Sequence, residues 1–358
     1  MILPMLAITM IPPQLATELY VGTYTDATGS KGIYRVTINL ESGELSPARL
    51  VAEATAPSYL ALHPNRNHLY AVNEFSDGEA TAYAIEDDRL RKLNSTQFKG
   101  RGPCHVAIDP KGRWLLVSAY GAGSLAVLPV EVDGKIGQAV DVFQNQGSGP
   151  DARRQDASHV HFAAAVGDHI YACDLGTDEV LAFQLSDGKL KSLNPRSAKT
   201  NPGAGPRHLV AHPNGSAIYA NNEMALSVSV FERDPRSGDL KLTQTIGTLP
   251  EPERLAGTST AAIRLHPRLP VLYVSNRGDN SITVFDILPS GKLSRRTTHP
   301  LDVQEPRDFH LHSSGSWMVA AGQKSGDLVS IPVDPKSGDL GKTSSRTTVP
   351  KPVCVLFR

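Results

Sequence analysis

The residues best suited to chemistry lie at the ends of short apolar runs in the middle and second half of the chain. Arg207 begins one run and Glu223 ends the next, whereas Arg277 ends an equivalent run further on. His159 and His161 begin an earlier run. Carboxylates and imidazoles transfer protons, and the guanidinium fork of arginine binds carboxylates, phosphates and developing oxyanions. These positions therefore suggest acid–base chemistry on a substrate that carries or develops negative charge.

The segment 205–239 shows which elements would position such residues. Its β-rich runs are separated by sequences containing Pro, Gly, Asn and Asp, at 212–215 and 234–238. Residues of these types between short apolar runs mark turns, so we predict strand, turn, strand, loop, strand, turn. The second strand returns toward the start of the first, which places Arg207 and Glu223 at the same end of one hairpin.

Copies of this unit recur about every 50 residues. Six first strands begin at Pro57, Pro103, Ala157, Pro206, Thr260 and Pro306. The termini complete a seventh unit, because the run from Leu19 resembles a second strand and 352–357 resembles the missing first strand. Four strands per unit of this length are typical of a propeller blade. We therefore predict an all-β fold with very low helix content: a seven-bladed β-propeller with four antiparallel strands per blade, one blade closed by N- and C-terminal strands.

Strand direction predicts that polar candidates from different blades gather at one mouth of the propeller. Each first strand starts at this mouth and each second strand ends there, whereas the tight turns lie at the opposite face. Besides the residues above, the candidates for substrate binding at these strand ends are Glu74, His105, Asp174, Asn222 and Arg307. Their types change from blade to blade, as an asymmetric ligand requires, although loops at a propeller mouth also vary without one.

A longer polar loop, 145–158, leads into the His-x-His pair and is predicted to lie over the same mouth. It offers Arg154 and Gln155 as hydrogen-bond donors to a substrate, although a solvated surface loop would have a similar composition. The two histidines alternate with a valine, so an extended strand would turn both rings to one side. His-x-His can also be half of a metal site, but no third ligand is obvious nearby, so we predict no metal.

Composition argues against several classes of partner. The 358 residues include 36 Lys plus Arg and 36 Asp plus Glu, so the net charge of zero favours neither nucleic acid nor an anionic membrane. The three cysteines, Cys104, Cys173 and Cys354, show no disulfide or zinc spacing. We expect them to be buried, reduced thiols.

Residues 1–17 are predicted to form a leader before a single propeller domain of residues 18–358. The leader is apolar, contains three prolines and carries no Lys or Arg. The prolines prevent a membrane-spanning helix, and the missing basic start differs from a signal peptide. We expect a disordered or loosely packed segment, or else the remnant of a signal peptide.

Four motifs resemble one known family. They are YVGTYT with SKGIY, GPRHLVAHPNG followed by NNE, LYVSNRGDNSITVF, and Arg-Gln followed by His-x-His. Over about residues 18 to 358 they are similar to the seven-bladed lactonase propellers, which include bacterial 6-phosphogluconolactonases of the propeller type and fungal carboxymuconate-lactonizing enzymes. The catalytic set proposed for that family then falls on His159, Arg207, Glu223 and Arg277. The chain departs from the family at Ser158, where Pro is common, and in lacking a Pro-Asp-Gly turn after His161.

The resemblance implies hydrolysis of a sugar-acid lactone, with 6-phosphoglucono-1,5-lactone the first candidate substrate and 6-phosphogluconate the product. It implies no metal and no cofactor, and we expect a monomer or weak homo-oligomer whose partner is a small anionic lactone. Either Glu223 or His159 would act as general base and the other as acid. Arg207 and Arg277 would stabilise the developing negative charge.

Several alternatives stay open at this point. Arg154 and Arg307 are candidates for anchoring the substrate, but each arginine has the alternative of a structural ion pair. An unphosphorylated gluconolactone is a second candidate substrate, and lactonizing cycloisomerisation of a carboxymuconate-type acid is a second reaction. A non-catalytic binding propeller would require a large exposed apolar or aromatic patch at the mouth. A phosphorylated substrate implies the cytoplasm, whereas a signal-peptide remnant would favour the periplasm and a neutral lactone.

Overall fold

The computed structural model describes residues 16–26, 29–75, 77–250 and 257–358. In these ranges the chain forms 28 β-strands, arranged in seven four-stranded antiparallel sheets, and no helix. The sheets are the predicted blades, so the predicted seven-bladed β-propeller is confirmed. Of the predicted leader, residues 1–15 lie outside the described part of the chain, and Ala16 and Thr17 begin the first strand.

The strands follow one another with short connections. The first eleven are β1 (Ala16–Thr23), β2 (Gly32–Asn39), β3 (Arg49–Glu53), β4 (Leu60–Leu62), β5 (His68–Val72), β6 (Glu79–Ile85), β7 (Leu90–Gln97), β8 (Pro103–Ile108), β9 (Trp114–Ala119), β10 (Ser124–Pro129) and β11 (Asp141–Gln144). The next eight are β12 (Val160–Val166), β13 (His169–Asp174), β14 (Glu179–Ser186), β15 (Lys189–Lys199), β16 (Pro206–Ala211), β17 (Ala217–Asn222), β18 (Ser227–Arg233) and β19 (Leu240–Gly247). The remaining strands are β20 (Ser259–Leu265), β21 (Val271–Arg277), β22 (Ser281–Ile287), β23 (Leu293–Pro300), β24 (Pro306–Leu311), β25 (Trp317–Gly322), β26 (Asp327–Pro332), β27 (Ser345–Thr348) and β28 (Pro352–Phe357).

Both ends of the chain build blade 1, as predicted. Its strand order is β28, β1, β2, β3, whereas blades 2 to 7 each take four consecutive strands from β4 onward. The innermost strands of neighbouring blades contact one another in a closed ring, in the order β28, β4, β8, β12, β16, β20 and β24. Ring closure pairs the terminal strands and removes the free edges that an open array would expose.

A buried tyrosine in the second strand ties each of four blades to the next. The hydroxyls of Tyr70, Tyr171, Tyr219 and Tyr273 donate hydrogen bonds to the backbone carbonyls of Gly134, Gly238, Gly291 and Gly338. Each acceptor glycine has a φ between 77° and 84°, which glycine adopts without strain. At Gly338 an added Cβ would also lie only 2.9 Å from the tyrosine hydroxyl. The recurring Leu/Ile-Tyr pair and Gly turn are therefore the shared framework that the repeats predicted.

Three buried histidines and a half-buried one, His310, in the inner strands make the folded state sensitive to acid. Burial lowers the pKa values of His105, His161 and His208 well below that of an exposed imidazole and the pKa of His310 to about 3. Below about pH 6.5 the unfolded chain therefore binds more protons than the folded protein, so stability falls as the pH falls. Each histidine contributes about 1.4 kcal/mol of this loss between pH 7.5 and 5.5. Burial raises the pKa of Asp308, and this opposite shift offsets part of the loss of stability that the histidines cause at low pH.

We expect the free energy of unfolding in urea to be lower at pH 5.5 than at pH 7.5, by up to about 5 kcal/mol. Replacing His310 with glutamine provides the matched control, because this ring lies outside the mouth cavity described below. The variant should show a pH difference smaller by about 1.4 kcal/mol. Equal unfolding free energies of the wild type at the two pH values would contradict the burial of neutral imidazoles.

Candidate active site

A β-bulge at the mouth end of the innermost strand turns one extra side chain toward the propeller axis. In five blades the pairing with the second strand skips a single residue. The skipped residues are Cys104, His161, Arg207, Arg307 and Val353. Bulges re-aim side chains and are common beside active sites. All five of these residues line cavities at the mouth.

The pairing corrects the predicted repeat alignment of blade 4. Val160, not Ala157, pairs with the second strand as the opening Pro206 does in blade 5, so the predicted start of this repeat was wrong by three residues. His161 therefore occupies the position of Arg207, and the other histidine of the pair precedes β12. The bulge also breaks the simple alternation that was expected to turn both rings to one side.

A cavity of about 370 Å³ occupies the mouth where the bulges converge. Six of the predicted site residues line it: Glu74, Arg154, His161, Glu223, Arg277 and Arg307. Arg207 lines a small adjoining pocket that shares three of these residues. A larger polar groove of about 520 Å³ lies between blades 1 and 2, but none of the predicted site residues lines it. The mouth cavity is therefore the candidate active site.

Three arginines surround the carboxylate of Glu223. Arg207 Nε and Arg277 Nη2 lie 2.9 and 3.1 Å from its Oε2 atom. Arg154 Nη2 lies 2.6 Å from its Oε1 atom. Burial would raise the pKa of this carboxyl, but Arg277 and Arg207 hold the pKa well below its usual range. The side chain therefore stays ionised at neutral pH, which makes it a counter-ion for the arginines and a poor proton acceptor.

These four groups reach one point from different parts of the fold. Arg207 is the bulge residue of β16, and Glu223 directly follows β17, so the two meet at the end of the predicted hairpin. Arg277 ends β21 of the next blade. Arg154 comes from the long loop before β12 and is still partly exposed. The carboxylate thus joins two blades and the loop.

Gln155 anchors the loop that carries Arg154. Its side chain is fully buried and donates hydrogen bonds to the Leu175 carbonyl at 2.9 Å and to Asp178 Oδ1 at 2.8 Å. Asp178 in turn accepts a hydrogen bond from the backbone N–H of Gly205. Gln155, predicted to bind substrate, holds the loop in place and does not line the mouth cavity.

His161 presents a neutral imidazole to the cavity. The side chain is buried, and neither ring nitrogen hydrogen-bonds to any described residue, with Nδ1 fully enclosed. Its ring meets those of Tyr120 and His208 edge-on, at centroid distances of 5.8 and 5.3 Å. Burial, followed by the charge of Arg207, lowers the pKa of His161 well below its usual value. The imidazole is therefore unprotonated at neutral pH and can accept a proton.

His159 lies beside the cavity and not among its lining residues. Its ring stacks on Tyr120 with a centroid distance of 4.3 Å and an interplanar angle of 8°. Nδ1 lies 2.9 Å from the Tyr120 carbonyl oxygen, which can only accept, so this nitrogen carries the hydrogen. The structure thus brings Arg207, Glu223 and Arg277 of the predicted catalytic set together. His161, and not His159, lines the mouth cavity with Glu223 and Arg277.

Asp174, Asn222 and His105 were predicted to bind substrate, but the structure shows each of them in contact with buried protein groups. Asp174 is fully buried and accepts hydrogen bonds from the Ser158 hydroxyl and the Asn145 amide, among others. Asn222 donates to two serine hydroxyls of the neighbouring strand. His105 packs between two aromatic rings. None of the three lines the mouth cavity.

The sequence predictions missed five lining residues: Cys104, Tyr120, Gly257, Ser259 and Glu305. Tyr120 occupies the repeat position of Glu223, and Cys104 occupies that of Arg207, so the alignment already contained their signal. Burial raises the pKa of the Cys104 thiol to about 12, so it lines the cavity as an uncharged group. All three cysteines are buried and free, as predicted. Ser259 and Glu305 lie where the chain enters an inner strand, a position that the alignment of strands left out.

The side chains at the mouth suit an anion better than a cation. Within the described ranges no group of three or more His, Cys, Asp and Glu side chains is arranged to hold a metal ion. Those ranges also contain no helix that is long and apolar enough to cross a membrane. Four arginines and four carboxylates line the mouth cavity and the adjoining pocket, but one of these carboxylates, Asp308, pairs with Arg264 outside them. Four arginines therefore face three carboxylates, so the local charge favours a negatively charged ligand.

Comparison with known proteins identifies the family. Residues 18–357 match the family model described as "Lactonase, 7-bladed beta-propeller". The chain belongs to this lactonase family. Membership confirms the resemblance seen in the sequence motifs and the prediction of a lactone-hydrolysing enzyme.

The names of similar proteins refer to two kinds of lactone. The 6-phosphogluconolactonase of Bacillus subtilis is 34% identical over 345 residues, which are 94% of this chain and 97% of that protein. The 6-phosphogluconolactonase of Formosa agariphila is 31% identical over 344 residues, which are 92% of this chain and 96% of that protein. The solved periplasmic gluconolactonase of Pseudomonas aeruginosa superposes with a TM-score of 0.88 at 30% identity, covering 96% of this chain and 99% of that one. The lactonase's own substrate must therefore be argued from its site.

Proposed function

We propose that this lactonase hydrolyses 6-phosphoglucono-1,5-lactone to 6-phosphogluconate in the mouth cavity. The observation that carries the proposal is the Glu223 carboxylate, held by three arginines in the cavity that the neutral His161 also lines. A volume of about 370 Å³ suits a small-molecule ligand, and the arginines suit an anionic one. The names of the relatives from Bacillus subtilis and Formosa agariphila support the phosphorylated lactone.

In the proposed reaction His161 accepts a proton from a water molecule, whose oxygen attacks the lactone carbonyl carbon. The carbonyl oxygen becomes an oxyanion, stabilised by the guanidinium groups of Arg207 and Arg277. Nε of Arg277 is buried without a hydrogen-bond partner among the described residues, so this donor remains available to the oxyanion. Collapse of the intermediate breaks the ring C–O bond, and the departing oxygen takes the proton from His161. One water molecule is consumed and no other reactant is needed.

Glu223 supports this reaction through the groups around it. Its ion pairs fix the orientation of the arginine forks, which would otherwise repel one another. Its negative charge also acts on the pKa of His161 in the upward direction, so it stabilises the imidazolium that forms after proton transfer. The catalytic roles proposed for His161 and Glu223 differ from those that the resemblance implies, in which His159 and Glu223 exchange the proton.

The exposed apolar surface does not favour a non-catalytic binding propeller. In the described part of the chain the large hydrophobic side chains that are exposed are Phe75, Val132 and Leu288. Phe75 stacks on Tyr24 at the mouth, and the other two lie in turns between outer strands. These separate side chains do not form the large apolar patch that a protein partner would require.

We further propose that residues 18–358 act as one domain, that a monomer suffices, and that the enzyme works in the cytoplasm. The phosphorylated substrate supports the cytoplasm. The test is expression of the full chain in a Gram-negative host. Recovery from the periplasmic fraction of a protein that lacks residues 1–17 would contradict the proposed compartment.

Kinetics on three substrates separate the proposed reaction from its alternatives. We expect kcat/KM for 6-phosphoglucono-1,5-lactone to exceed that for glucono-1,5-lactone by at least about 10-fold, because a phosphate adds a charge-assisted contact. We expect no cyclisation of a carboxymuconate-type acid, followed by its ultraviolet absorbance. Faster hydrolysis of the neutral lactone would support the gluconolactonase alternative. Cyclisation without lactone hydrolysis would support the cycloisomerase.

A further inference from the structure

Arg307 differs from the other arginines of the mouth because no carboxylate of the described residues forms a direct ion pair with it. No Asp or Glu oxygen of the described residues lies within 4.0 Å of its guanidinium group, whereas Arg154, Arg207 and Arg277 all contact Glu223. Its hydrogen bond with a described residue runs from Nη2 to the Tyr24 hydroxyl at 2.7 Å. A guanidinium group has five N–H donors, so most of those on Arg307 remain free.

The free donors of Arg307 face the substrate cavity. Arg307 is the bulge residue of β24, and it lines both the mouth cavity and the small pocket that adjoins it. An arginine that is withdrawn from bulk water without a counter-ion favours binding of an anion. The planar fork of its donors matches a phosphate or carboxylate through two parallel hydrogen bonds.

Tyr24 and Glu74 fix the orientation of Arg307. The Tyr24 hydroxyl donates to Glu74 Oε1 at 2.9 Å, so its oxygen is left to accept from Arg307. Cζ of Arg307 also lies 5.2 Å from the centroid of the Tyr24 ring, in a cation–π contact. Tyr24 itself is held from its other side by stacking on Phe75 at 5.5 Å. Glu74, which lines the cavity, can accept hydrogen bonds from sugar hydroxyls beside the anion.

We propose that Arg307 is the residue that selects a phosphorylated lactone, by binding the phosphate monoester on C6, next to the ring carbon that bears the departing ester oxygen. The inference rests on the proposed function, because it assigns the acyl end of the same substrate to the arginines around Glu223. Two separate cationic groups then have different roles. The arginines around Glu223 stabilise the negative charge that develops during the reaction, and Arg307 binds the phosphate charge that the substrate already carries.

The experiment measures the ratio of kcat/KM for 6-phosphoglucono-1,5-lactone to that for glucono-1,5-lactone. In Arg307→Gln we expect this ratio to fall by about 10-fold, mainly through a higher KM for the phosphorylated lactone. Arg307→Lys keeps a charge without the fork and should fall between the wild type and Arg307→Gln. Tyr24→Phe retains the arginine but removes the hydroxyl that orients it, and should lower the ratio by about 5-fold.

Arg154→Gln is the matched control, since Arg154 also lines the cavity but contacts Glu223. It should lower kcat/KM for both lactones and leave their ratio within about 3-fold. An unchanged ratio in Arg307→Gln, with the protein folded, would overturn the assignment of Arg307. A large fall of the ratio in Arg154→Gln instead would also overturn the assignment of Arg307, and would indicate that Arg154 of the loop binds the phosphate. Failure of the wild type to hydrolyse either lactone would contradict the proposed function itself, which separates the two claims.

Discussion

Replacing His161 with asparagine is expected to lower kcat for lactone hydrolysis by about 10³-fold, with KM changed by less than about 3-fold. Asparagine retains a polar side chain at the bulge but cannot accept a proton from water. The wild-type imidazole is buried and neutral, and no hydrogen bond to a described residue competes for its nitrogens. Steady-state rates at pH 7 in a pH-stat give both constants, after subtraction of the spontaneous opening of the lactone.

His159→Asn supplies the matched control for this prediction. The ring of His159 stacks on Tyr120 and bonds to its carbonyl, beside the cavity and outside its lining. We expect a loss in kcat of less than about 5-fold, from small displacement of Tyr120. The opposite pattern, with a large loss in His159→Asn and a small one in His161→Asn, would contradict our proposal and restore the assignment implied by family resemblance.

Glu223→Gln is expected to lower kcat/KM by about 10³-fold and to destabilise the fold by about 3–5 kcal/mol. The substitution preserves shape but leaves Arg207, Arg277 and Arg154 without their shared counter-ion. The two buried arginines then repel each other and lose the orientation that the oxyanion requires. Initial rates and urea unfolding at pH 7 measure the two effects.

Glu179→Gln separates the catalytic effect of Glu223→Gln from its effect on stability. Glu179 is also a buried carboxylate with a cationic partner, Lys199 at 3.0 Å, but it does not line the mouth cavity. We expect this control to be destabilised while kcat/KM stays within about 3-fold of the wild type. If Glu223→Gln kept kcat/KM within 10-fold of the wild type, the arginine cluster would not serve the reaction.

The sequence was sufficient to predict the fold because every repeat independently predicts the same order of strands and turns. Seven copies of one pattern, with the seventh divided between the two ends, require a closed ring of blades. The pairing of Arg207 with Glu223 was also predictable, since both residues belong to one hairpin. Arg277 and Arg154 reach the same carboxylate from another blade and from a loop, and hairpin register cannot predict contacts of that kind.

The error in blade 4 has a local physical origin. This blade opens with Val160, where β8, β16, β24 and β28 open with proline, and it lacks the Pro-Asn-Gly type of turn, so the alignment rested on the histidines. The bulge at His161 then shifts the register by a residue that no strand pattern reveals. Asp174 and Gln155 hydrogen-bond to buried backbone groups and loop side chains. The sequence does not reveal these partners, so it cannot distinguish such residues from substrate ligands.

The rate at which the purified wild type opens 6-phosphoglucono-1,5-lactone tests the central claim most directly. The protein should be produced in a host that lacks its own lactonase, and His161→Asn should be prepared in parallel to exclude a contaminant. We expect saturable hydrolysis at pH 7 with kcat/KM above about 10⁴ M⁻¹s⁻¹, and a loss of about 10³-fold in the variant. A wild-type rate equal to the spontaneous rate, or equal rates in the two preparations, would contradict lactone hydrolysis at the mouth cavity.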